Sequence, residues 1–195
     1  MKYGFYAFLD RMKYIKRWSL MRCVREENIM EHSQQVAMLA HCLALINNKI
    51  FGGDVDAEKC VLYAVYHECA EVMTGDLPTP IKYFNHSIHG AYKGLEERAC
   101  DKLLATLPDE LKGELGEFMK PDETTYEYTL MKCADRLSAY IKCLEELRCG
   151  NGEFARAKKT IGDELVQKNV PELNYFLEKF IDAFYLSLDE LEDDE

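Results

Sequence analysis

Residues 31 to 48 read EHSQQVAMLAHCLALINN, and their spacing decides the fold class. Val36, Leu39 and Leu43 recur at intervals of three and four, which places them on one stripe of an amphipathic helix. His32 shares that stripe, so the helix turns an imidazole toward the interior. His41 falls about half a turn away around the same helix and is read as structural.

The same period continues outward. A second helix is expected from Asp56, a good N-cap, with Val61, Leu62, Val65, Cys69 and Val72 as its apolar stripe. It runs into YHECAEVMTGDLPTP, residues 66 to 80, and must end there: Gly75 breaks a helix, and Pro78 and Pro80 cannot continue one. Further helices are expected at about 86–107, 109–119, 124–149, 153–168 and 171–184, punctuated by CGNG at 149–152 and by Pro171. His86 and His89 read as loop or surface residues. With no alternating strand pattern of useful length, the chain reads as all-α: a single-domain helical bundle over residues 1–186 with an acidic, frayed tail over 187–195.

The 195 residues suffice for one domain with a sizeable core, and 48% hydrophobic with 30% charged residues is the mixture of a globular protein. A net charge of -11 disfavours a nucleic-acid polymer as partner. No apolar run reaches membrane-span length, and MKYGFYAFLDRMKYIKRW lacks a small-residue cleavage site, so no membrane partner and a cytoplasmic location are expected. The eight cysteines form no CxxC pair and read as reduced, mostly buried thiols.

Chemistry concentrates in few places. On one continuous helix His67, Glu68 and Glu71 span about 100° of arc, while Cys60 and Ala64 on the same face let another helix come close. A histidine and two carboxylates so near one another need a cation or hydrogen-bond donors between them, and imidazole with carboxylate suits zinc, manganese, iron or cobalt. Asp135, in LMKCADRLSAYIKCLEEL at 130–147, lies at the edge of the stripe of Leu130, Ala134, Leu137, Ile141 and Leu144. It reads either as half of a salt bridge with Lys132 or Arg136, or as a further ligand.

The order His32, His67 with its neighbour, then Asp135 resembles the HD-domain superfamily of metal-dependent phosphohydrolases. RWSLMR at 17–22, EHSQQVAMLAH at 31–41, TGDLPTPIKYFN at 74–85 and ADRLSAYIKCLEEL at 134–147 resemble its bacterial 5'-deoxynucleotidase branch. The resemblance implies a helical homodimer that removes the 5'-phosphate of deoxyribonucleoside monophosphates by attack of metal-bound water. It implies one divalent ion (cobalt, manganese, zinc or similar) on His32, His67, Asp135 and the carboxylate at position 68. His32 and Asp135 thereby also border the substrate. It further implies that Arg17 orients the phosphate, that Glu71 assists proton transfer, and that Trp18 with Asp76, Leu77, Pro78 and Thr79 contacts the nucleotide.

Each role has a competing reading. Arg17 offers a fork of donors for phosphate oxygens, or is a helix-end surface residue. Trp18 walls the sugar against a 2'-hydroxyl, or is a core tryptophan. Asp76 accepts a bond from the 3'-hydroxyl, or caps its own turn. Where the family has aspartate this chain has Glu68, one methylene longer. The alternatives to the enzyme are therefore a nucleotide-binding protein with impaired catalysis and an HD phosphohydrolase of another nucleotide.

Overall fold

The computed structural model describes residues 2–82 and 84–192. Its helices are α1 (Phe5–Leu9), α2 (Ile29–Ile50), α3 (Ala57–Tyr66), α4 (Glu71–Thr74), α5 (Thr79–Lys82), α6 (His86–Leu104), α7 (Asp109–Met119), α8 (Tyr126–Arg148), α9 (Ala155–Lys168), α10 (Pro171–Lys179) and α11 (Leu188–Glu192). Among the described residues the only β pairing is an isolated antiparallel bridge between Lys16 and Asn28, so the fold is all-α. No helix among them is long and apolar enough to cross a membrane.

Local chemistry sets the long helices. Asn28 opens α2 in a capping box, its side chain accepting the Met30 and Glu31 N–H groups at 3.0 Å each while Glu31 reaches back. Asp56 caps α3 through the Lys59 N–H, Thr125 caps α8 through Tyr128, and Pro171 occupies the first turn of α10. The stripes then close on one another. Val36, Ala40 and Leu43 of α2, Cys60 and Ala64 of α3, and Leu130, Ala134 and Leu137 of α8 are fully buried in one cluster. A second cluster joins Phe5, Cys69 and Ala70 to Ala99, Cys100 and Leu103 of α6 and to Met119.

The expected continuous helix from Asp56 to the glycine is two helices. α3 stops at Tyr66, and residues 67–70 form a turn before α4. There the backbone bonds tighten to three-residue steps: Cys69 N–H to Tyr66 at 3.1 Å, Glu71 N–H to Glu68 at 3.0 Å and Met73 N–H to Ala70 at 3.0 Å. The cause is a conflict of burial. Cys69 and Ala70 belong to the second cluster, while His67 and Glu68 belong with α2 and α8, and one straight helix could not serve both.

The expected segment 171–184 likewise divides, into α10 and a 3₁₀ turn at Ile181–Tyr185. The start of the acidic tail is not frayed: Ser187 and Glu190 cap each other and open α11, as serine followed three residues later by glutamate favours. The last three residues of that tail lie outside the described residues. His41 is exposed on α2, and His89 lies not in a loop but on α6, because Asn85 caps that helix just before it. All eight cysteines are unpaired thiols, five of them buried.

Candidate metal centre

Three elements converge at the end of the α2–α3–α8 core. α2 brings His32, the turn after α3 brings His67 and Glu68, and α8 brings Asp135; one ligand atom from each lies within 4.8 Å of all the others. His32 Nε2 is 3.2 Å from Asp135 Oδ1 and 3.4 Å from His67 Nε2, and His67 Nε2 is 3.1 Å from Glu68 Oε1.

Both imidazoles have their other nitrogen engaged. His67 Nδ1–H donates to the Ala64 carbonyl at 2.6 Å. The Ser138 hydroxyl donates to Gln35 Oε1 at 2.6 Å and lies 3.1 Å from His32 Nδ1, which Arg17 Nη1 also contacts. With Nδ1 of each ring held by the protein, Nε2 of each faces the cluster, the arrangement a metal-ligating histidine needs. Neighbouring ligands on a cation with bonds of about 2.0–2.1 Å lie about 3.0–3.4 Å apart; the three separations of 3.1–3.4 Å match, and His32 Nε2 and Glu68 Oε1 stand 4.0 Å apart. Glu71 Oε2, buried beside the cluster, has no hydrogen-bond partner. The residues present thus fit a divalent cation.

The electrostatics agree. Burial disfavours the Asp135 carboxylate, but Lys132, 2.6 Å from Oδ2, and the two histidines outweigh it and hold the carboxyl well below its usual range. Glu68 is likewise held well down, His67 overcoming the cost of burial, and His67 is raised in return by Glu68 against its own burial. Glu71 goes the other way: burial first, then the charge on Glu68, pushes it up to about 11. Two adjacent carboxyls are thereby driven apart, one ionised and one protonated, the pattern of an acid–base site.

Residues 4–184 match the family described as 5'-deoxynucleotidase YfbR-like. The chain belongs to this family. The YfbR 5'-deoxynucleotidase of Escherichia coli is 50% identical over 193 residues, 97% of this chain and 96% of its own length. A 5'-deoxynucleotidase of Cronobacter sakazakii matches to the same extent, 50% identity over 193 residues. Among solved structures, an HD-domain phosphohydrolase of Listeria innocua superposes with a TM-score of 0.82 at 18% identity, covering 97% of this chain and 92% of its own. The cyanophage S-2L HD phosphohydrolase, bound to dA and one catalytic Zn2+, superposes at 0.61 with 22% identity, covering 91% and 96%. At those identities the two structures establish the HD-domain fold.

In this member of the YfbR-like family Arg17 touches a residue of the cluster. Arg17 Nη1 contacts His32 Nδ1 and lies 3.5 Å from Glu27. Trp18 is half-buried, its ring 5.3 Å from that of Phe154, and its backbone is left-handed at φ +57°. That conformation costs a residue with a side chain about 1–2 kcal/mol. Asp76 follows Gly75, whose φ of +72° makes the bend after α4, and burial raises its carboxyl against the nearby charge of Arg17. Leu77 and Pro78 are half-buried and Thr79 is exposed, and the Pro78 carbonyl accepts the Ile81 and Lys82 N–H groups to start α5. A cavity of about 670 Å³ opens beside His67, Glu68 and Glu71, and His89 and Lys132 also line it.

Of the two salt bridges open to Asp135, Lys132 makes one, while Arg136 pairs with Glu164. The salt bridge and the place in the cluster coexist, because each oxygen of Asp135 takes one of them. Three contributors carried no distinct signal in the sequence: Glu27, Gln35 and Ser138. Only the helical spacing of Asp135 and Ser138, and of His32 and Gln35, pointed to Ser138 and Gln35.

Proposed function

We propose that this protein is a divalent-metal-dependent 5'-deoxynucleotidase, releasing phosphate from deoxyribonucleoside 5'-monophosphates. The observation that carries the reading is the four-ligand cluster of His32, His67, Glu68 and Asp135 in a chain 50% identical to 5'-deoxynucleotidases. The likeness to a fold that binds dA and zinc in the cyanophage protein supports it. When bound, a divalent cation lowers the pKa of water and polarises a phosphoryl oxygen.

The chain's own groups do the rest. Ser138 and the Ala64 carbonyl fix the two imidazoles, and Lys132 fixes Asp135. Arg17 offers its remaining N–H groups to the phosphate oxygens. Glu71, protonated through burial and the charge of Glu68, gives its proton to the leaving 5'-oxygen. Trp18 walls the sugar, and Asp76, with the loop through Leu77, Pro78 and Thr79, holds the nucleoside. Glu68 reaches the cluster despite its extra methylene, which favours turnover over binding alone.

A homodimer in the cytoplasm completes the proposal; eight unpaired thiols suit a reducing compartment, and light scattering tests the dimer. The activity is tested by phosphate release from paired deoxy- and ribonucleoside monophosphates with manganese, cobalt or zinc. Release from the deoxy substrates is expected, and no release with any metal overturns the reading.

A further inference from the structure

Glu27 has no role in the chemistry above, yet its carboxylate joins groups that do. Its side chain keeps only 12% of its exposure. One oxygen accepts the Trp18 indole N–H at 3.0 Å. The other faces Arg17 Nη1 at 3.5 Å and His32 Nδ1 at 3.7 Å. The backbone repeats the connection: the Glu27 carbonyl accepts the Arg17 N–H at 2.9 Å, next to the bridge between Lys16 and Asn28. Residue 27 is thus tied to Arg17 through the main chain and reaches back to both Arg17 and Trp18 through its side chain.

Trp18 needs such a hold. A bulky residue at φ +57° stays there only when its surroundings impose it. Phe154 packs against the ring, but the indole has a single polar group, and the bond from that group to Glu27 fixes how far the ring can swing.

We propose that Glu27 is a positioning residue that locks Trp18 and Arg17 relative to each other and thereby sets the preference for deoxyribonucleotides over ribonucleotides. This rests on the 5'-deoxynucleotidase reading. A wall rejects a 2'-hydroxyl only while it cannot move, since a displacement of about 1 Å makes room for much of an added atom. The two tethers also differ in kind. The indole needs only an acceptor, whereas the guanidinium answers to a charge, so glutamine in place of Glu27 preserves the first and weakens the second.

The test combines steady-state kinetics on a deoxy and ribo monophosphate pair of one base with the fluorescence of Trp18, the only tryptophan in the chain. Glu27→Gln is expected to keep the wild-type deoxy-to-ribo ratio of kcat/KM and the wild-type emission, while KM rises about tenfold for both substrates. In Glu27→Ala the ratio is expected to fall about tenfold or more, with red-shifted and more easily quenched emission. Trp18→Phe should lower the ratio by itself, and adding Glu27→Ala to it should lower the ratio no further. Circular dichroism checks folding, and Glu27→Met, of similar length but without an acceptor, replaces the alanine variant if that does not fold. An unchanged ratio and emission in the variant lacking the acceptor overturns the inference alone, as does a wild-type enzyme with no deoxy preference. Wild-type protein that releases no phosphate from any nucleotide overturns the functional reading and this inference with it.

Discussion

Glu146 lies on α8 with no exposed surface, and its carboxylate accepts four donors. They are the backbone N–H groups of Val24 and Arg25 at 2.8 and 3.2 Å, Lys142 Nζ at 2.6 Å and Asn151 Nδ2 at 2.8 Å. Lys142 and Asn151 in turn donate to the carbonyls of Arg25 and Arg22 at 2.6 and 2.7 Å. Together these bonds tack residues 22–25 to α8, and that segment connects Trp18 to Glu27. Glu146→Ala removes the acceptor and leaves Lys142, 4% exposed, as a buried cation without its closest partner. Breaking a buried pair from one side costs about 3–5 kcal/mol. At about 2–4 °C per kcal/mol for a chain of this size, Tm should fall by about 6–20 °C. Adding Lys142→Met should restore part of the loss, since the buried charge, left with Glu145 at 3.7 Å, goes with it. Calorimetric unfolding at pH 7 measures both. A fall of less than about 3 °C for Glu146→Ala, or a double variant no more stable than the single, refutes the reasoning.

The same carboxyl gives a pH dependence. Against the cost of burial, Lys142, Val24 and Asn151 hold Glu146 down at about 2, from an ordinary value of 4.5. Its contribution is therefore complete above pH 4.5 and disappears as pH falls toward 2, so Glu146→Ala should flatten the acid limb of the stability curve. Glu71, pushed up to about 11, has the opposite sign: the folded chain keeps a proton that the unfolded chain releases above 4.5. Stability of the chelator-treated protein should accordingly decline between those values, and Glu71→Gln should flatten the decline while lowering kcat by about 10²-fold or more. Glu68→Asp draws the carboxylate back by about 1.3 Å from the cluster toward a turn that buried Cys69 and Ala70 hold in place. At equal metal content kcat/KM should drop about 10²-fold, and a more active aspartate variant would contradict the geometry. Asp135→Asn should lose bound metal on dialysis, measured by elemental analysis beside the wild type, because it removes a ligand charge and strands Lys132 at once.

Much of the architecture was legible because it is written in local chemistry. The stripe of Val36, Leu39 and Leu43, the cap at Asp56 and the breakers at Gly75, Pro78 and Pro171 each act within a few residues. The break after Tyr66 was not legible. His67 and Cys69 look like neighbours on one helix, and only the presence of two separate cores shows that they must face different ways. The acidic tail misled for a related reason: its charge outweighed the short capping signal of Ser187 and Glu190.

The candidate site divides along the same line. By itself the sequence determined which residue types were available and which of them faced inward, because helical periodicity records burial directly. It also carried enough of the motif order to indicate a phosphohydrolase. The tertiary structure alone decided that His32 and His67, 35 positions apart, and His32 and Asp135, 103 apart, meet within 3.4 Å. It alone decided that Ser138 orients one imidazole and that Glu27 grips Trp18. Such contacts depend on how α2, α3 and α8 pack, and packing is settled by the complementarity of whole helix faces, which no short stretch of sequence contains.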